Sequence, residues 1–261
     1  MTDLVDLGTV QLSFWDTGGP GEPIVLLHPG SGSAEVYPHQ RSAFADAGFR
    51  VVAYSRRGQG GSTLGSDDAT CCAIDDLFAL MDRLGIERAH LVGNALGGFV
   101  ALDAALARPE RVQSLVLACS MMGIEEADYQ ATSKALRPAA FDALPATLKE
   151  LGPSYRASDP AGVARWQALH ERAGKGQPVR LRSRATWAAI AMLRMPVLLM
   201  TGDADLWMPP ALLREVAPRF PNSRVAIVAD AGHSAQWEQP AAFNRLVLEF
   251  LGSRSTSGRA A

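Results

Sequence analysis

Leu91-Val92-Gly93-Asn94-Ala95-Leu96-Gly97-Gly98 decides the reading of this chain. An apolar run of strand length enters a glycine-flanked turn and leaves it as a helix expected to reach residue 107. Gly93 and Gly97 stand two positions either side of Ala95. A sharp strand-to-helix turn strains the backbone of its central residue, and small neighbours relieve the crowding. Such a turn lifts side chain 95 above the sheet, beside the free backbone N–H groups of the next helix. The plain alternative is a glycine-rich turn with no chemistry, because short glycine motifs alone are weak signals.

On either side of this turn, apolar runs alternate with helical stretches. That is the pattern of an α/β protein with a mostly parallel sheet and helices on both faces. Strands are expected over 24–28, 50–54, 89–93, 114–119, 197–201 and 224–228, and a hairpin over 4–7 and 10–16 adds two antiparallel strands. Helices are expected over 73–84, 96–107, 210–216 and 240–251. In the first of these, Ile74, Leu77, Phe78, Met81 and Leu84 form a stripe that a core face explains fully. Between 121 and 194 the alternation stops, and prolines punctuate a helical composition. This stretch is expected to be a helical cap inserted in a core made of 1–120 and 195–261. It would cover the carboxyl ends of the strands, where open α/β sheets bind ligands. The last ten residues are small and polar, and are expected to fray.

A chain of 261 residues can bury one large core, and 48% hydrophobic with 20% charged residues is ordinary for a globular protein. Net charge is −2 and the basic residues are dispersed, which argues against nucleic acid as a partner. No apolar run approaches the ~18 residues that span a bilayer, and no secretory leader is read at the N-terminus. A cytoplasmic protein acting on a small molecule, with no membrane partner, is the expectation. Cys71, Cys72 and Cys119 make neither a disulfide framework nor a metal pattern, so no metal and no cofactor are expected. Oligomeric state is left open, a homodimer included.

Two further stations converge on residue 95. Gly202-Asp203-Ala204-Asp205 follows the strand at 197–201, and Asp230-Ala231-Gly232-His233 follows the strand at 224–228. An acid and then a histidine at successive strand ends, downstream of the turn, have the order of a Ser-His-Asp site. Asp205, clear of its strand, can reach sideways to His233, whereas Asp203 is placed to cap the turn. Asp205 would hold the imidazole's tautomer and His233 would carry protons. The loop His28-Pro29-Gly30-Ser31-Gly32-Ser33 is where such a site keeps its oxyanion donors. Pro29 has no N–H, so Gly30 and Leu96 are the expected pair, and losing one donor typically costs ~3 kcal/mol of transition-state stabilisation.

With these stations placed, the chain resembles the α/β-hydrolase superfamily over nearly its whole length. The resemblance implies an eight-stranded sheet, a G-x-S-x-G elbow whose serine is here Ala95, and a turn that Arg57-Gly58-Gln59-Gly60-Gly61-Ser62 matches. A narrower resemblance is to the meta-cleavage product hydrolases, which cut C–C bonds in vinylogous 1,5-diketones. Their G-N-S-x-G-G elbow matches Gly93-Asn94-Ala95-Leu96-Gly97-Gly98. Their G-H-W-A-Q-W-E and F-N-x-L-V motifs match Gly232-His233-Ser234-Ala235-Gln236-Trp237-Glu238 and Phe243-Asn244-Arg245-Leu246-Val247. That group binds a substrate carboxylate with a cap arginine, and Arg165-Trp166 looks like that site; Arg180, Arg182 and Arg184 compete for it. Ser31, Asn94 and Trp237 are the other candidate substrate contacts. The chain departs from the group at Ser234 and in its less glycine-rich loop at 28–32, and related esterases and lactonases share the rest.

Alanine offers no nucleophile, so the chain as written forms no acyl-enzyme. Two origins are open. One is a Ser→Ala change made in a working hydrolase, with Asp205, His233 and the oxyanion loop left intact. The other is a natural serine-less relative that binds a ligand or activates water through His233 and Asp205.

Overall fold

The computed structural model describes residues 2–65 and 71–252. Eight strands form one sheet: β1 (Asp3–Asp6), β2 (Gln11–Asp16), β3 (Pro23–Leu27), β4 (Arg50–Tyr54), β5 (Ala89–Asn94), β6 (Val112–Ala118), β7 (Val197–Gly202) and β8 (Ser223–Val228). Their order is β1-β2-β4-β3-β5-β6-β7-β8, antiparallel at the β1–β2 and β2–β4 pairs and parallel elsewhere. This is the α/β-hydrolase fold. All eight expected strands are present, with ends moved by one or two residues.

The period of two along each strand sorts side chains between two cores. Ile24 and Leu26 join Phe44, Phe243 and Val247 on one face of the sheet. Val25 and Leu27 join Ile74, Leu77, Val100 and Leu212 on the other. Helices α1 (Pro38–Asp46) and α11 (Pro240–Gly252) cover the first face. Helices α2 (Ala73–Arg83), α3 (Leu96–Ala107) and α9 (Pro210–Val216) cover the second. Each fully buried Leu, Ile, Val or Phe stabilises by roughly 1.5–3 kcal/mol, so this double burial holds the strand ends rigidly. Sequence reading misses α1, whose buried residues are only Gln40 and Phe44, too few for a helical stripe. It also misses the single turn α10 (Ala235–Glu238).

Between β6 and β7 run α4 (Ala127–Ala135), α5 (Ala146–Glu150), α6 (Pro153–Ser158), α7 (Pro160–Arg172) and α8 (Trp187–Ile190). The segment leaves and re-enters the sheet side by side, through a bridge between Ile124 and Ala185. Its return leg is tied to α3 by the buried Asp103, whose carboxylate accepts from the N–H groups of Arg182 (2.8 Å) and Ser183 (2.7 Å). Among the described residues no helix is long and apolar enough to cross a membrane, and no disulfide forms. The expectation of a frayed tail falls outside the described residues, except for Gly252, which ends α11.

Candidate active site

The turn between β5 and α3 places Ala95 at φ 49°, ψ −116°. That conformation costs a non-glycine residue of order 1–3 kcal/mol. Packing enforces it. A Cβ on Gly97 would strike the Leu27 carbonyl, and a Cβ on Gly93 would strike the Gly97 backbone. Hydrogen bonds then lock the turn: Ala95 N–H donates to Ala118 O at 3.0 Å, and Ser120 Oγ donates to Ala95 O at 2.7 Å.

The loops after β7 and β8 bring Asp205 and His233 together, both buried. His233 Nδ1 donates to the carboxylate, 2.9 Å from each Asp205 oxygen. Asp205 also accepts from Thr201 Oγ1 (2.9 Å), Trp207 N–H (2.8 Å) and Met208 N–H (3.0 Å). Burial alone would raise its pKa, but the His233 charge and these hydrogen bonds hold it below the usual carboxylate value. Burial alone would lower His233. The charges of Asp205, Glu150 and Glu238, with the Asp205 hydrogen bond, outweigh that and push it up to about 9. Asp203 instead accepts from the N–H groups of Asp230 (3.1 Å) and Ala231 (3.2 Å), bracing the loop that presents His233.

Ala95 and His233 share the wall of a cavity of about 230 Å³ with Gly30, Ser31 and Leu96. With Nδ1 held by Asp205, Nε2 is the ring nitrogen left for that space. A Cβ on Gly30 would lie 3.3 Å from Leu96 Cδ2, so the two residues expected to supply the oxyanion donors are neighbours. Phe99, Met121, Glu150 and Trp207 complete much of the wall. Phe99 and Met121 also line a second cavity of about 500 Å³, which includes Arg137. The Arg137 guanidinium lies 4.9 Å from the Trp207 ring centre, and the Trp207 ring lies 5.8 Å from that of His233.

Three expected substrate contacts lie outside the wall. Asn94 is buried with its amide donating to Gln236 Oε1 (2.9 Å) and its oxygen accepting from Tyr37 OH (3.2 Å), so it ties the elbow to the histidine loop. Trp237 packs with Leu151, Tyr155 and Trp166. Arg165 is 63% exposed and pairs with Asp159 at 3.3 Å. Its competitors Arg182 and Arg184 pair with Asp75 and Glu125, and Arg180 lines a separate cavity with Arg57 and Asp76. In the Arg165-Trp166 pair it is the tryptophan that reaches inward, donating to Ser234 Oγ at 3.2 Å.

Sequence reasoning missed Glu150, Trp207, Phe99 and the bracing role of Glu238. Trp207 stands two residues past Asp205, which was an available signal. Glu238 lies inside a quoted motif and accepts from the N–H groups of Gly152 (2.6 Å), Gly232 (3.0 Å) and Ser234 (3.1 Å). Its burial nevertheless pushes its pKa up to about 7. Neither the Cys119 thiol nor the Ser120 hydroxyl beside the elbow is set up as a nucleophile. Cys119 is buried and its thiol is pushed well up by burial and by Asp205, and Ser120 is committed to the Ala95 carbonyl.

The model of the alpha/beta hydrolase family matches residues 24–246, and the chain belongs to that family. A Mycobacterium tuberculosis protein, provisionally named a non-heme bromoperoxidase, is 30% identical; the match covers 92% of this chain and 97% of that protein. The 2-hydroxy-6-oxononadienedioate/2-hydroxy-6-oxononatrienedioate hydrolase of Burkholderia vietnamiensis is also 30% identical, over 95% of this chain and 94% of its own. The enol-lactonase of Burkholderia xenovorans LB400 has the same fold. It superposes with a TM-score of 0.78 at 22% identity, over 96% of this chain and 100% of that one.

Proposed function

We propose that this chain is built to hydrolyse a small carbonyl substrate: an ester, a lactone or the C–C bond of a vinylogous 1,5-diketone. The observation that carries the reading is the buried His233, held by Asp205, sharing one cavity with the strained Ala95. The relative named as a hydrolase of 2-hydroxy-6-oxononadienedioate supports the diketone member of this set. Gly30 and Leu96 would offer two N–H groups to the carbonyl oxygen as charge develops there. With serine at position 95, His233 takes the hydroxyl proton as the oxygen attacks, and returns it to the leaving group; water then releases the acid. A C–C substrate first shifts from enol to keto form, because a carbanion leaves poorly otherwise. With alanine at 95, attack on the carbonyl falls to a water molecule in the same cavity.

A second reading is favoured by the elbow itself. Ala95 keeps a costly backbone conformation while contributing no reactive atom. On that reading the chain is a Ser→Ala form that binds substrate without turning it over.

Ala95→Ser tests the first reading. Hydrolysis of p-nitrophenyl acetate rises by orders of magnitude, within the ~10⁶ span that separates an optimised triad from its serine-less form. A variant inert on esters, lactones and ring-cleavage products alike overturns it.

A further inference from the structure

Glu150 is a carboxylate that the fold brings to the reacting space without any motif to announce it. It ends α5 and lines the same cavity as Ala95 and His233. Two contacts fix it there. Its backbone oxygen accepts from Ser234 N–H at 2.9 Å, next to the catalytic histidine. Its Oε1 accepts from the Trp207 indole at 3.2 Å, and that indole leans over the His233 ring. The carboxylate is thereby held at the cavity wall. A solvated helix-end carboxylate would need neither tie.

We propose that in this alanine-bearing chain Glu150 is the general base for the attacking water, while His233 acts as general acid. The inference rests on the hydrolase reading above. Water oxygen bonds to the carbonyl carbon, its proton passes to Glu150, and the carbonyl π pair moves to the oxygen facing Gly30 and Leu96. The intermediate then collapses. The bond to the leaving group breaks, and that group takes the proton from His233 Nε2. Glu150 passes its proton to His233, so the net change is one water consumed, one acid and one leaving group in protonated form released.

The charges around His233 fit this division. Asp205 faces it from the loop after β7, Glu238 from α10 and Glu150 from α5, while the Arg137 guanidinium lies over the Trp207 ring. Their sum keeps the imidazole protonated up to about pH 9. A protonated histidine is a poor base and a good acid. A serine mechanism needs the opposite state, so the two chemistries have opposite pH profiles. Hydrolysis through Glu150 falls as pH rises through about 9, and hydrolysis through a serine rises there.

Glu150→Gln keeps the acceptor for Trp207 and removes the base. With p-nitrophenyl acetate as probe, kcat of the Ala95 chain falls by ~10²-fold or more while KM stays within about threefold. In the Ala95→Ser background the same substitution costs less than about threefold. Equal losses in both backgrounds overturn the proposal, as does an unchanged kcat in the Ala95 chain. An inert Ala95 chain beside an active Ala95→Ser variant also overturns it while sparing the hydrolase reading. If both are inert, both inferences fall.

Discussion

The loops at the carboxyl ends of β5, β7 and β8 and the segment 121–194 opposite them form one cavity, yet they are held by different forces. In the loops the carboxylates of Asp203, Asp205 and Glu238 each answer to backbone N–H groups. Asp205 takes two N–H groups, Asp203 two and Glu238 three, while Asn94 and Gln236 clasp each other beneath the elbow. The buried, charge-assisted bonds of Asp205 and Glu238 are worth about 1.5–3 kcal/mol each. The opposite segment leans on aromatic packing around Trp166 and on exposed ion pairs such as Arg165–Asp159 and Arg184–Glu125. Exposed pairs contribute roughly 0–1 kcal/mol. Reaction geometry is therefore held tightly, while the walls that choose a substrate are free to change.

The largest effect expected from this contrast is on catalysis. In the Ala95→Ser background, Asp205→Asn keeps the shape of the loop and lowers kcat on p-nitrophenyl acetate by about 10⁴-fold, the loss typical when a triad acid is neutralised. A loss under tenfold breaks the assignment of Asp205 as the histidine's partner. Next comes stability. Glu238→Gln turns one accepting oxygen into an NH2 group facing a buried N–H, which loses its acceptor at a cost of about 2 kcal/mol or roughly 4–8 °C in Tm at pH 8. A calorimetric scan that shows no change would place the loop's rigidity elsewhere. The smallest effect is on the opposite side. Arg165→Ala changes Tm by less than about 2 °C and leaves KM for a carboxylate-bearing ester unchanged. A large rise in KM would restore the carboxylate-binding role that the sequence suggested.

The same contrast explains what could be read without coordinates. Strands buried on both faces announce themselves as short apolar runs, and β4 and the helix α3 fall on the expected residues. Asp205 and His233 were reachable because each stands just past such a run, at a place the sheet fixes. Asn94 and Trp237 were misplaced for the opposite reason. Closeness in sequence to the elbow or to His233 does not set side-chain direction, and the Asn94 amide is spent on Gln236. Glu150 gave no signal, because a carboxylate on a short helix looks the same whether it faces solvent or a cavity. Only the packing of α5 against the loop after β8 distinguishes the two.

The backbone of Ala95 has a consequence for how this family can change its chemistry. Its left-handed conformation is imposed through the backbone, by the close packing at Gly93 and Gly97 and by the Ser120 bond to the carbonyl of 95. The turn is thus a socket whose shape does not depend on what is plugged into it. Serine, cysteine or aspartate would each be lifted toward the same histidine with no rebuilding of the sheet. For an evolving lineage, the nucleophile becomes a single-codon choice, separable from the fold that serves it.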